Sequence, residues 1–297
     1  MIKDSLNAIA DSTRATLRGW RGLLVLALLY LVPYACVYLF FSTGQATAWQ
    51  LVLSGLTALV APLLLLVLIA ATATFALPER QAAVPVARGG LRDSWKVLLL
   101  ALPVAALGWG LFYLLGKLQE HLPKVEDARR AILNATPESR VTPLYWQEAL
   151  MSWLWIILFG VVLPLLAAHL WLGVARDGLK TTVSRIHRVA ARAFAPRAVL
   201  VYIIGFFVFA LLPYFVLYTR TAVTNGWAEL LMFGLRIAVT FVLTLLGWTI
   251  TLGALARTTP PETLAHDAAA EAPPPVETLP HAEAPPAPPP SVTGEAV

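Results

Sequence analysis

Six apolar stretches, each separated from the next by polar or charged residues, set the rhythm of this 297-residue chain. They cover residues 23–41, 49–77, 97–115, 149–175, 199–218 and 230–255. Crossing a hydrocarbon core takes about 20 apolar residues in a helix. None of the six stretches contains Asp, Glu or Lys. Lipid offers no partner to backbone N–H and C=O groups, so such runs satisfy themselves as helices and not as strands. The pattern predicts an all-α polytopic membrane protein, with six transmembrane helices over 1–257 and a tail over 258–297. A cleaved signal peptide is the rival for the first stretch, because Ala46-Thr47-Ala48 resembles a cleavage site. The apolar run before it exceeds the usual span of about 7–15 residues, so a retained helix is expected.

The polar connections alternate in charge. Lys3, Arg14, Arg18 and Arg21 precede the first stretch, whereas 42–48 carries no charge. Arg80, Arg88, Arg92 and Lys96 fill the second connection, and the third, 116–148, is mixed. The fourth holds Arg176, Lys180, Arg185, Arg188, Arg192 and Arg197, and the fifth only Arg220. By the positive-inside rule this predicts both termini in the cytoplasm. Tryptophans mark the same boundaries, with Trp20, Trp95 and Trp171 at one interface and Trp49, Trp146 and Trp227 at the other.

The even-numbered stretches each begin on an interfacial Trp followed by Leu, as in Trp49-Gln50-Leu51, Trp146-Gln147-Glu148-Ala149-Leu150 and Trp227-Ala228-Glu229-Leu230. The odd-numbered ones follow a basic segment and are interrupted by Pro33, Pro103 or Pro213. Pro62 and Pro164 interrupt two even stretches as well. A helical hairpin used three times, each with a basic lead-in, describes this economically; chance similarity of Trp-anchored helices is the alternative.

The lead-ins are amphipathic. Ile2, Leu6, Ile9, Thr13 and Leu17 recur at helical spacing opposite Lys3, Asp11, Arg14 and Arg18. Leu179, Val183, Ile186, Ala190 and Phe194 form one face beside Arg185, Arg188 and Arg192, with Lys180 nearby. Arg88, Arg92 and Lys96 make a shorter row beside Leu91 and Trp95. Such helices lie in the membrane interface, with cations at the headgroups and apolar residues toward the acyl chains. Two readings follow: a collar that contacts lipid or docks a partner, or ordinary topology-setting charge.

The segments Gly89-Gly90-Leu91-Arg92-Asp93-Ser94-Trp95-Lys96 and Arg185-Ile186-His187-Arg188-Val189-Ala190 carry a resemblance. With the three-hairpin plan, 1–257 resembles the six-helix membrane domain that accompanies some bacterial glycerophosphodiester phosphodiesterases. The resemblance implies a bacterial inner-membrane location. The soluble phosphodiesterase barrel of that family has no counterpart in this chain, so its catalytic residues have no positions here.

Composition agrees with burial in lipid: 58% of residues are hydrophobic and 13% charged, with a mean hydropathy of +0.71. Soluble domains carry about 25% charged residues. The pI of about 9.5 reflects cations at the membrane interface and not a nucleic-acid surface. The single cysteine, Cys36, lies in an apolar run and reads as a small buried hydrophobe. His121 stands near Glu120, Glu126 and Asp127, but one histidine among competing cations does not define a metal site. After residue 257 come eleven prolines, six acidic residues and no basic ones. This composition predicts an extended, disordered tail that is either inert, bound to a partner protein, or laid against the basic collar.

Two ionisable residues fall inside the stretches. Arg236 is read either as a ligand or headgroup contact, or as a snorkelling side chain within reach of Glu229. His169 is read either as functional or as a neutral imidazole near the headgroups. No P-loop, HExxH motif or nucleophile elbow is present, so neither catalysis nor a cofactor is expected. What remains is a non-catalytic protein organising lipid or partner proteins, or a permease-like carrier or channel whose pathway passes Arg236, with an intramembrane enzyme acting on lipid as a weaker third reading.

Overall fold

Backbone groups that lipid cannot satisfy bond within helices throughout the computed structural model, which describes residues 1–44, 46–121, 146–219 and 225–258. The described residues contain no strand. In chain order the elements are α1 (Ile2–Arg18), α2 (Trp20–Ser42), α3 (Ala48–Phe75) and α4 (Ala83–His121). Then follow α5 (Trp146–Trp155), α6 (Leu163–Asp177), α7 (Leu179–Ser184) and α8 (Ile186–Ala193). The last are α9 (Pro196–Phe206), α10 (Leu212–Tyr218) and α11 (Gly226–Thr258). Two π-helical segments, Ile156–Val162 and Phe207–Leu211, join α5 to α6 and α9 to α10 without interruption. Six helices are long and apolar enough to cross a membrane: Trp20–Ser42, Ala48–Phe75, Ala83–His121, Ala149–Asp177, Pro196–Tyr218 and Gly226–Thr258.

The helices start and stop on local signals. Thr47 and Gln50 close a capping box on α3: the Thr47 hydroxyl accepts from the Gln50 amide at 3.3 Å, and the Gln50 side chain accepts from the Thr47 amide at 3.0 Å. Gly178 ends α6 at a φ of 82°, a conformation that suits glycine. Of the five prolines, Pro33, Pro62 and Pro103 sit inside regular α-helix, but Pro164 and Pro213 each follow a π segment. Proline lacks an N–H and crowds the carbonyl four residues earlier, and a widened turn relieves the crowding.

Packing is concentrated at one end, here called the base, where α1 and the lead-ins lie. The end of α3 reads Ala70-Ala71-Thr72-Ala73-Thr74-Phe75, and all six residues are buried. Small side chains let backbones approach closely, which is the main source of helix association in lipid. α3 and α4 approach closely: a Cβ on Gly90 would lie 2.9 Å from Ala71 Cβ and 3.1 Å from the Val67 carbonyl oxygen. The buried threonines donate back along their own helices, Thr72 to Leu68 at 2.7 Å and Thr74 to Ala70 at 2.8 Å. No polar atom is thereby stranded in the apolar contact. Leu165, Val201, Leu252 and Leu255 complete the main basal core. At the opposite, distal end the large side chains face outward, with Leu59 64% and Trp109 73% exposed.

Two expectations change. Arg88, Arg92 and Lys96 do not lie on a separate interfacial helix. The helix of the third span begins at Ala83 and runs 39 residues unbroken, with Gly89 and Gly90 held against α3. That helix therefore carries a carboxylate, Asp93, outside the 97–115 stretch. The fourth connection is likewise two short helices, α7 and α8, that break at Arg185.

Candidate functional site

α1 has three faces where the sequence pattern indicates two. Ser5, Ala8, Ser12 and Thr16 are buried, and Ser12 donates to the Ile250 carbonyl at 2.8 Å, docking α1 on the last turns of α11. Ile2, Leu6 and Leu17 remain at least half exposed on the adjoining face, and Arg14 and Arg18 stand on the third. The same division recurs in α7 and α8. Thr182 and Ala193 face the protein, while Val183, Ile186 and Phe194 are exposed near Arg185 and Arg188. Small residues make the protein contact, and large apolar residues stay available to acyl chains.

The basic residues of this end divide by what they touch. Arg80 donates to the Ala175 carbonyl and Arg176 to the Ala256 carbonyl, both at 2.8 Å, so two arginines close the C-terminal ends of neighbouring helices. Cations there satisfy free carbonyls and oppose the negative end of the helix dipole. Asp93, its side chain 4% exposed, accepts from Lys96 at 2.5 Å and from Arg92 at 3.2 and 3.3 Å. Arg88, Lys180 and Arg188 are exposed and make no ion pair among the described residues.

His169 is 4% exposed, with Nδ1 2.9 Å from the Leu165 carbonyl. A carbonyl only accepts, so Nδ1 carries the proton and Nε2 presents a lone pair. Nε2 has no partner among the described residues. His169, Arg176, Asp177 and Arg192 together line a basal cavity of about 30 Å³, room for about one water. The structure thus unites two sequence candidates, His169 and Arg192, on one small cavity. Arg236 stands apart on α11, half-buried, with Nη2 enclosed and without a partner among the described residues. It makes no ion pair with Glu229 and lines neither this cavity nor the larger cleft described below.

Trp20 and Trp95 are each 55% exposed at the base, and Trp49 and Trp227 are 72% and 82% exposed at the distal helix starts. Trp146 is the first residue of α5, and its side chain lies outside the described residues. Trp171 departs from the anchor pattern: it packs on the basal core, and its Nε1 is enclosed without a partner. His121 Nδ1 lies 2.7 Å from the Lys117 carbonyl. Glu126, Asp127 and the tail beyond Thr258 lie outside the described residues.

One cleft among the spans escaped the sequence pattern. A cleft of about 400 Å³ opens between α2, α9, α11 and the two π segments. Phe159 and Gly160 from one π segment and Phe209 and Ala210 from the other line it, together with Tyr30 and Trp248. Pro164 cannot donate to the carbonyl of Gly160, four residues earlier, and the Tyr202 hydroxyl does so instead at 2.9 Å. Proline-induced π geometry therefore both opens the wall and recruits Tyr202 to it. Pro164 and Pro213 were the available signals, but which two of five prolines widen their helices depends on their neighbours.

Comparison with family models, with curated proteins and with solved structures finds no match for this chain.

Proposed function

We propose that this is a non-catalytic protein of a bacterial plasma membrane, with both termini in the cytoplasm, that organises lipid at its basal face. The three hairpins and their lead-ins form the scaffold, and the tail adds contact with partner proteins. The observation that carries the reading is the composition of the base. Exposed Arg88, Lys180 and Arg188, without an ion pair among the described residues, stand among exposed Leu91, Val183 and Ile186. The acidic Asp93 is already engaged by its own neighbours. Each cation near an anionic leaflet contributes about 1 kcal/mol, and the apolar neighbours insert between acyl chains.

The test is the lipid retained around the full chain after extraction into nanodiscs. Anionic phospholipid is expected to be enriched over the surrounding membrane. Replacing Arg88, Lys180 and Arg188 with Gln is expected to bring that enrichment down to the level of the surrounding membrane. Unchanged enrichment in the triple variant contradicts the reading.

Arg236 supports a second reading, that of a carrier, because its enclosed Nη2 lacks a partner among the described residues. Anion flux into liposomes that disappears in Arg236→Leu would favour the carrier; equal flux with and without protein removes it.

A further inference from the structure

The aromatic cleft holds hydrogen-bond donors with no acceptor beside them. Its volume of about 400 Å³ falls in the range of small-molecule sites. Tyr30, Phe159, Tyr202, Phe206, Phe209 and Trp248 line it, and no described lining residue carries a charge. Two of its polar groups are committed: the Tyr202 hydroxyl donates to the Gly160 carbonyl at 2.9 Å, and the Thr244 hydroxyl to the Thr240 carbonyl at 2.8 Å. The Tyr30 and Thr251 hydroxyls and the Trp248 indole N–H make no hydrogen bond among the described residues. None of the three is sealed off, so each borders open space, although Tyr30 is only 7% and Thr251 5% exposed. All three can donate, and the indole can only donate.

The depth of Tyr30 narrows what could accept from it. Tyr30 is the eleventh of the 23 residues of α2. Its ring meets that of Phe241 edge to face, with centroids 6.3 Å apart, and Phe241 is the sixteenth of the 33 residues of α11. Both helices thus put this phenol about half-way along a span. The hydrocarbon core is about 30 Å thick, so phospholipid ester carbonyls lie about 15 Å from its middle. Neither water nor a headgroup supplies an acceptor at that height. Trp248 and Thr251 stand seven and ten residues beyond Phe241 on α11. The donors are therefore spread along the cleft, and a single level of ester carbonyls cannot serve them all.

We infer that the cleft binds an uncharged ring compound with hydrogen-bond-accepting carbonyls, of the quinone class. The aromatic side chains take the ring in offset or edge-on contact. Carbonyls on opposite sides of the ring accept from Tyr30 and from Trp248 or Thr251. A charged headgroup in the same place would lack a counter-charge, which an uncharged ring does not need. The site goes beyond the lipid-organising reading and does not depend on the basic collar.

The test uses the full chain in nanodiscs of phosphatidylethanolamine and phosphatidylglycerol. A decyl-benzoquinone with an azide on its ring serves as photolabel, and peptide mapping locates the adducts. Residues 159–164 and 205–210 are expected to label saturably, and excess unlabelled decyl-benzoquinone is expected to remove most of that label. Labelling at the outward positions Leu59 and Trp109 is expected to rise linearly and to resist competition. Decylbenzene, which has the ring and tail without the carbonyls, is expected to compete about tenfold more weakly. Tyr30→Phe keeps the ring beside Phe241 and removes one donor, so binding is expected to weaken about fivefold. Adding Thr251→Val removes a second donor at nearly constant volume, and a further loss of about threefold is expected.

Labelling of the cleft that does not saturate overturns the inference. So does displacement by decylbenzene as effective as by the quinone, and so does unchanged affinity in the Tyr30→Phe, Thr251→Val chain. Phosphatidylglycerol with a mid-chain diazirine supplies the remaining arm. Labelling of the same residues by that lipid, undiminished by the quinone, marks an acyl chain as the occupant and also overturns the inference. Loss of that lipid label as the quinone is added supports it.

Discussion

The base and the distal half of this molecule are built from the same six helices yet hold together by different means. At the base, Ala, Thr, Ser and Gly dominate the contacts, helices nearly touch, and arginines close the ends of neighbouring helices. In the distal half the glycines Gly55, Gly110 and Gly234 have nothing within 4 Å of where a Cβ would stand. Large residues there point outward. Small residues therefore signal packing only where a second element comes up against them, as Ala71 does to Gly90 and Phe209 to Gly247. In lipid this contrast matters more than in water, because apolar side chains gain nothing by leaving acyl chains for each other.

The contrast is broken or sharpened by matched substitutions, measured as thermal stability in a lipid-like detergent. The largest effect is expected at the α3–α4 approach. Gly90→Leu overfills it and is expected to cost about 3 kcal/mol, while Gly110→Leu in the distal half of the same helix is expected to change stability by less than about 0.5 kcal/mol. Similar losses for the two would erase the distinction between the halves.

Asp93→Asn comes next. It leaves Lys96, whose side chain is 22% exposed, and the more exposed Arg92 without their counter-charge. A loss of about 2 kcal/mol is expected, smaller than for a fully buried pair because both cations reach water. In a Lys96→Met background the loss should shrink, and a double-mutant cycle measures that coupling.

Tyr202→Phe is expected to cost about 1 kcal/mol, the value of a carbonyl left without a donor. Pro164→Ala restores a backbone N–H that can reach the Gly160 carbonyl. The same Tyr202→Phe change in that background is expected to be nearly silent. Strict additivity would show that Tyr202 does not substitute for the missing helical bond. The smallest effect is expected for Ser12→Ala, about 0.5–1 kcal/mol, from loss of the single side-chain bond that ties α1 to Ile250.

Much of this was legible in the chain. Six apolar runs without Asp, Glu or Lys give six helices directly, since length and hydropathy suffice. Helix starts at Trp49, Trp146 and Trp227 follow from the residues around them. The third face of α1 was not legible: Ser5, Ala8, Ser12 and Thr16 look neutral until a partner helix of matching small residues is known. The continuity of α4 through Gly89-Gly90 reads as a break by propensity and becomes a contact only in three dimensions. Asp93 drew no attention because it sits among cations in a basic segment, where a solvated role is the ordinary one. The cleft was hidden for a related reason. Aromatic residues in an apolar run carry no label for inward or outward, and the widened turns beside Pro164 and Pro213 depend on tertiary surroundings.

The most direct measurement of the central claim is oxygen accessibility along spin-labelled sites of the full chain in bilayers, in a Cys36→Ser background. Oxygen concentrates in lipid, so it reports which side chains lipid bathes. Labels at Leu59, Trp109 and Leu231 are expected to be strongly accessible, and labels at Ala71, Leu165 and Leu252 shielded. Uniform accessibility at both sets, or shielding of the distal set, would contradict a molecule packed at one end and open to lipid at the other.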